Sequence, residues 1–242
     1  MKEKRPSHGA APRSLAVCVL EALGLLLFAA MVLDAGWHLL VQARPVAQGR
    51  SQDAWLALLA LLTLPAAYYL ADLLSGLIHW VCDSFGNEHT PLWGPALVGP
   101  FRRHHRDPLQ ITRISLLENL GASALAGDLV LWLWSPWAAQ AASSVPGLAW
   151  RLTMLWLIVF AVLSNLFHRW SHLPLARRPG WMLWAQRHHL LLNSQIHGRH
   201  HRPPHRLNYC ILSGWANPLS NRIPWAGIEA VLARLGIRTC FD

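Results

Sequence analysis

The apolar positions of the chain gather into four long runs separated by polar, mostly basic stretches. They cover about residues 14–41, 54–78, 120–142 and 150–167. A bilayer core takes about 20 apolar residues as a helix, so each run is expected to be a membrane span. The first is interrupted by Glu21 and Asp34 and shows no clear small-x-small cleavage site, so it reads as an anchor and not as a removable signal peptide. The second contains Pro65, which is expected to kink it. The third is weakest because Asp128 and Pro136 sit inside it, and the fourth, Trp150 to Phe167, is clean. The expected fold class is therefore an all-α integral membrane protein. A tail, 1–13, precedes one domain, 14–242, whose polar parts are a middle segment, 79–119, and a long carboxy-terminal segment, 168–242. Within the latter, Trp181 to Leu192 alternates apolar residues with basic interruptions and is expected to lie in the membrane interface.

Composition agrees with this layout. Hydrophobic residues make up 53% of the 242 and charged residues only 14%, against about a quarter in soluble domains. That excludes disordered, collagenous and secreted disulfide-framework proteins. Cys18, Cys82, Cys210 and Cys240 form no CxxC pair and read as unpaired thiols. The net charge of +9 is placed against a membrane face, with no nucleic-acid partner expected. Lys2, Lys4, Arg5 and Arg13 precede the first span, Arg102, Arg103, Arg106 and Arg113 lie in the middle segment, and ten arginines follow Phe167. The two opposite connections hold only Arg44, Arg50 and Arg151. Positive charge collects on the cytoplasmic side, so both termini are expected there, in a bacterial inner membrane or the endoplasmic reticulum.

Histidine changes the picture. There are 14, and 12 of them lie between His79 and His205. The topology puts His79 and His168 at the cytoplasmic ends of the second and fourth spans and every other clustered histidine in a segment beyond those ends, so they are expected to converge on one layer. Their spacing is that of metal ligands. His168 and His172 are four apart in FHRWSH, so they share a helix face. IHGRHH supplies His197, His200 and His201, of which the first two are expected to share a face while the third reaches round the helix. FRRHHRDP supplies His104 and His105, and His79 lies four residues before Asp83. Eight such histidines are too many for one ion and suit two, with about four nitrogens each; imidazole suits iron, zinc and copper. A basic face against anionic headgroups accounts for the arginines and leaves histidine, largely neutral at pH 7, unexplained. HExxH, G-x-S-x-G and CxxCH are all absent, so zinc protease, serine hydrolase and c-type haem chemistry are not supported. What remains is the histidine-box pattern of membrane di-iron oxidases.

The stretches DLLSGLIHWVCDSFG, PFRRHHRDPLQITRISLLENLG, FHRWSH and IHGRHHRPPHRLNYCILSGWANP together resemble the Kua/CarF family. The resemblance runs from about Pro65 to Leu235 and leaves the first span and the tail outside. The best-defined members are plasmanylethanolamine desaturases, and a plant plastid branch desaturates an acyl chain of phosphatidylglycerol. Carried over position by position, the resemblance implies iron ligands at His79, His104, His105, His168, His172, His197, His200 and His201. His189 and His205 also fall on family histidines and are candidates for alternative ligands or for residues that orient them. Asp83 is expected to accept an imidazole N–H or to serve as an alternative ligand, and Asp72 matches a family acid of structural role. Arg102, Arg113 and Asn208 are candidate headgroup contacts. Ile196 stands where some members carry a further histidine, so that position is not an obligatory ligand, and Ala122 and Ser123 replace a more polar stretch.

The resemblance implies a di-iron, O2-dependent desaturase that forms the vinyl ether of a plasmalogen in a 1-O-alkyl phospholipid. No GxGxxG fingerprint is visible, so the electrons are expected from outside, through cytochrome b5 or a ferredoxin with its reductase. Ligand spacing does not separate this reaction from desaturation or hydroxylation of an acyl chain. A non-catalytic metal-binding or regulatory membrane protein is the alternative of another class.

Overall fold

The structure is a computed structural model that describes residues 13–46, 52–91, 93–140, 144–237 and 239. The tail before Arg13, most of the first connection with Arg50, the far end of the third run and Cys240 lie outside the described residues. Among the described residues all regular structure is helical. Four helices are long and apolar enough to cross a membrane: α1 (Leu15–Val46), α2 (Gln52–Ser84), α4 (Leu116–Gln140) and α5 (Val145–His172). The short helices α3 (Gly99–Arg106), α6 (Gly180–Arg187), α7 (Ser194–His200), α8 (Asn217–Ser220) and α9 (Trp225–Arg234) build a cap at one end.

The long helices overrun the apolar runs that announce them. α2 continues through Pro65 and six residues past Ile78, so His79 and Asp83 are both helical. α5 begins at Ser144, whose hydroxyl accepts the Gly147 N–H at 3.2 Å, and ends only at His172. The overrun matters for function, because a ligand on the last turn of a span is held by the same hydrogen bonds as the span itself.

α1 packs on α4, α2 on α5, and α4 on α5. The interfaces are apolar, as in the cluster of Leu39, Leu131, Leu148, Leu155 and Ile158 from α1, α4 and α5. Leu23, Leu33, Leu61, Leu62, Trp132 and Leu133 stay exposed, as lipid-facing residues do. The α1–α4 contact is close because of Gly121, where a Cβ would lie 2.5 Å from the Glu21 side chain. Glu21 is tolerated there because Arg13 pairs with it.

Side chains of the last turns tie the cap to the bundle. Asn165 donates to the Asn119 carbonyl at 2.8 Å, fixing α4 to α5 one turn from His168. Arg169 donates to the Ile114 carbonyl at 2.6 Å and so holds the loop before α4. Arg178 folds the chain back after α5, donating to the Ser171 carbonyl at 3.0 Å and the Gln186 side chain at 2.8 Å. α6 carries Trp181 and Trp184 exposed on one face and Met182 and Ala185 buried on the other, as an interfacial helix does. It ends at Arg187, five residues short of the expected amphipathic stretch. The remainder turns through His189 into the cap.

Candidate metal centre

Two groups of ligating side chains form where the ends of α2 and α5 meet α3 and α7. The first contains His104, His168, His172, His197 and His201; the second contains His79, Asp83, His105 and His200. In each group one ligand atom per residue lies within 4.8 Å of all the others. The groups adjoin, with ring centroids 5.0 Å apart for His105 and His201 and 5.9 Å apart for His79 and His168.

Helix geometry deals the ligands out between the groups. The adjacent His104 and His105 of α3 point about 100° apart and enter different groups. At α7 it is His197 and His201 that share a group, while His200 turns into the other. That reverses the pairing expected of His197 and His200. A spacing of four residues leaves side chains about 40° apart around a helix and a spacing of three leaves them about 60° apart, so the four-residue pair aligns better.

The first group is largely buried and rich in unused nitrogen. His168 and His197 face each other through Nε2 atoms 2.8 Å apart, and His201 Nε2 lies 2.9 Å from that of His197. Both ring nitrogens of His104, Nδ1 of His168, His197 and His201, and Nε2 of His172 are buried without a hydrogen-bond partner. Leaving a buried polar group unpaired costs about 1–3 kcal/mol, so a cluster of them needs an explanation, and a bound cation supplies one. Burial, reinforced by the neighbouring imidazoles, holds His104, His197 and His201 well below the usual histidine range. They are therefore neutral at pH 7, with lone pairs available to a metal.

The second group is built around a carboxylate. Asp83 lies 3.4 Å from His79 Nε2, 3.3 Å from His200 Nε2 and 3.1 Å from His105 Nε2. The other nitrogens of two rings are already committed: His79 Nδ1–H donates to the Tyr209 carbonyl and His200 Nδ1–H to the Leu207 carbonyl, each at 2.9 Å. This is the arrangement that fixes a tautomer and leaves Nε2 for a metal. Asp83 thus sits among the candidate ligands.

The remaining candidates are placed as follows. His205 is half-buried beside the second group, its Nδ1 3.2 Å from that of His105. His189 is exposed on the turn after α6, has a positive φ of 56°, and joins neither group. Asn208 is buried, its backbone N–H donating to the Asn221 side chain at 2.9 Å and its side-chain amide to the Ile196 carbonyl at 3.1 Å. Arg113 is exposed and pairs with Asp107 at 2.9 Å, and half-buried Arg102 donates to the Phe85 carbonyl at 3.3 Å. Neither buried thiol, Cys82 or Cys210, belongs to either group. Nitrogen ligands with one carboxylate suit iron, zinc or copper and do not suit magnesium or calcium.

The sequence reading passes over the strap from Leu207 to Ala216, which supplies both orienting carbonyls. Its signal is a stripe on α2: Asp72, Gly76, His79 and Asp83 recur at i, i+4, i+7 and i+11, one helix face.

A lipid desaturase domain matches residues 68–239, which takes in both groups and the strap. The chain is 34% identical over 180 residues to plasmanylethanolamine desaturase 1 of Mus musculus, covering 73% of this chain and 66% of that one. It is 37% identical over 164 residues to plasmanylethanolamine desaturase of Myxococcus xanthus, covering 67% and 55%. Against the chloroplastic fatty acid desaturase 4 of Arabidopsis thaliana it is 35% identical over 176 residues, covering 72% and 52%. The matched region thus spans between about half and two thirds of these relatives' length. No solved structure matches the chain. With most of its length matched and the histidines inside the match, the chain belongs to the lipid desaturase domain family.

Proposed function

We propose that the protein is a membrane desaturase that converts a 1-O-alkyl phospholipid into the corresponding vinyl ether, a plasmalogen, at a di-iron centre. The observation that carries this reading is the pair of adjoining buried imidazole groups at one end of four helices long enough to cross a membrane. Two relatives named for plasmanylethanolamine support the ether substrate. Iron held by the two groups would supply the O2 chemistry needed to remove hydrogen from an unactivated C–H bond. His104, His168, His172, His197 and His201 would hold one ion, and His79, Asp83, His105 and His200 the other. The balance is one O2, two electrons and two protons consumed with two substrate hydrogens, giving two waters and one C=C bond between the carbon beside the ether oxygen and its neighbour.

This chain's own contribution is placement. Both groups lie at the mouth of the bundle, so a phospholipid whose headgroup rests at the interface carries its first chain carbons to their level. The buried walls exclude water, and fixed tautomers keep Nε2 of His79 and His200 turned inward. Electrons come from outside. Arg106, Arg199 and Arg202 are exposed beside His105, His200 and His201 and make no ion pair among the described residues. They favour docking of an acidic carrier such as a cytochrome b5 or a ferredoxin. The excess of basic residues on this end supports a cytoplasmic position for it and for both termini.

The test is lipid mass spectrometry in a host that makes 1-O-alkyl phospholipids but no plasmalogens, with a competent electron carrier. An acid-labile product two hydrogens lighter, lost in His200→Ala, is the expected result. Unchanged ether lipids with a new acyl double bond would transfer the reaction to the substrate named for the Arabidopsis relative. No change in either class would overturn the enzymatic reading.

A further inference from the structure

The second ligand group does not stand on helices alone. Two of its imidazoles are oriented by carbonyls of one irregular segment, Leu207 for His200 and Tyr209 for His79. That segment is latched to α2 by a carboxylate seven residues before His79. Asp72 is fully buried. Its Oδ1 accepts the N–H groups of Leu212, Ser213 and Gly214 at 2.9, 3.0 and 3.2 Å. Its Oδ2 accepts the Ala216 N–H at 3.0 Å and the Ser213 hydroxyl at 3.2 Å. One turn nearer the centre, Ser75 Oγ accepts the Ile211 N–H at 3.1 Å. At Gly76 the strap lies against the helix, and a Cβ there would be 2.7 Å from Cys210 Sγ and 3.2 Å from the Cys210 nitrogen. The first group touches the strap only indirectly, where Asn208 donates to the Ile196 carbonyl beside His197. Its ligands come from α3, α5 and α7, and none of its rings donates to a strap carbonyl.

We infer that Asp72 is a positioning residue for one metal ion only: it latches the strap 207–216, whose carbonyls set the ring orientation of His79 and His200, so the second site is complete only when the strap is seated. The carboxylate is well matched to this work. Five donors converge on it, which a neutral amide of the same shape cannot accept in full, because Asn presents an NH2 where Ala216 N–H and Ser213 Oγ–H point. Loss of a partner that orients a ligating histidine typically weakens metal binding ~10–100-fold. Here two such partners move together.

The inference rests on reading the two groups as metal sites, and a titration of the purified, metal-free full chain with cobalt(II) separates the two claims. Wild-type protein is expected to bind two cobalt ions. If it binds fewer, the metal reading itself fails, whatever the variants do. Given two, Asp72→Asn is expected to keep one ion at unchanged affinity and to bind the second at least ~10-fold more weakly, with half of the cobalt absorption lost. Gly76→Ala removes no hydrogen-bonding group and displaces the strap sterically, so it should give the same one-ion titration, and adding Cys210→Ala, which removes the Sγ clash, should restore most of the second ion. If Asp72→Asn does not fold, the Gly76→Ala pair decides. Two full-affinity ions in Gly76→Ala, or equal weakening of both ions in either variant, overturns the inference, because a merely structural latch would move both sites or neither.

Discussion

His104→Leu should make the metal-free protein more stable while crippling its response to metal. The substitution keeps roughly the volume of the side chain and removes two ring nitrogens that are buried without partners. His104 stands close to its neighbours, with ring centroids 4.5 Å from His168, 4.4 Å from His172 and 4.7 Å from His201. Each unpaired buried polar group costs about 1–3 kcal/mol, and an apolar group of the same shape relieves that cost. One of the two nitrogens is a donor and the other an acceptor in any neutral tautomer. Allowing for imperfect packing of Leu, a net gain of about 1–3 kcal/mol is expected. For a chain of this size that is a rise of about 2–4 °C in melting temperature per kcal/mol. The metal-bound state should move the other way. A metal at 100 times its Kd stabilises the folded state by about 2.7 kcal/mol per site, and His104→Leu forfeits most of one site's share. The assay is thermal unfolding of detergent-purified protein with a chelator and with added ferrous or cobalt ion. The reasoning is refuted if the metal-free variant melts several degrees below wild type while its metal-dependent rise is undiminished. In that case the nitrogens of His104 would be satisfied within the protein and the first group would not be a metal site.

His168→Ala, which removes a ring at 1% exposure, should abolish lipid turnover while membrane insertion, read by protease protection, stays normal; retained turnover removes it from the ligand set. Arg106→Glu with Arg202→Glu should raise the KM for an acidic electron carrier and flatten its salt dependence, with metal content unchanged. Equal kinetics at low ionic strength would move the docking face elsewhere. Gly121→Ala forces a methyl to within 2.5 Å of the Glu21 side chain and should lower stability by about 1–3 kcal/mol as an overpacked helix interface, seen as a lower melting temperature. An unchanged melting temperature would mean that α1 swings away from α4 without penalty.

The helices and the ligands are legible in the sequence for different reasons. A span needs only length and apolarity, so α1, α2, α4 and α5 follow from a count of residues, although their ends do not. Apolarity stops at Ile78 and Phe167, whereas the hydrogen-bonded helix continues to Ser84 and His172 because polar residues at the interface lose nothing by being helical. The histidines are legible because i, i+4 spacing at a span end is rare without a purpose. Their division into two groups is not, since it depends on how α3 and α7 rotate against α5. The surroundings of Asn208 and His189 are not legible either, because a resemblance transfers residue identity and not exposure. Asn208 is spent on Asn221 and Ile196, and His189 faces out. The strap has no periodicity to announce it. What it leaves in the sequence is the far end of its latch, Asp72, seven residues before a ligand.

The two groups differ in donor set, five imidazoles against three imidazoles and a carboxylate, and that difference should be measurable as metal preference. Five neutral imidazoles offer a soft, uncharged set. Three imidazoles and Asp83 offer a harder one that offsets one positive charge. Imidazole sets favour zinc, copper and iron, whereas carboxylate oxygen raises relative affinity for manganese. Every group binds zinc more tightly than manganese in absolute terms, so the prediction concerns distribution. With one equivalent of zinc and excess manganese, zinc should occupy the five-histidine group and manganese the group with Asp83. Manganese electron paramagnetic resonance should then report one bound ion per chain. Asp83→Asn should remove that signal, and His104→Leu should displace zinc into the second group and expel manganese from it. A manganese signal that survives Asp83→Asn would mean that Asp83 orients imidazoles without touching the ion. The same geometry explains why carboxylates are scarce here. A buried ionised group costs several kcal/mol unless it is paired; His105 Nε2 pairs with Asp83 at 3.1 Å, whereas the Nε2 lone pairs of His79 and His200 face the carboxylate at 3.4 and 3.3 Å and suit a cation held between them. The first group, with no such carboxylate, gathers five neutral rings at the membrane boundary and incurs that charge penalty only when a cation arrives to share it.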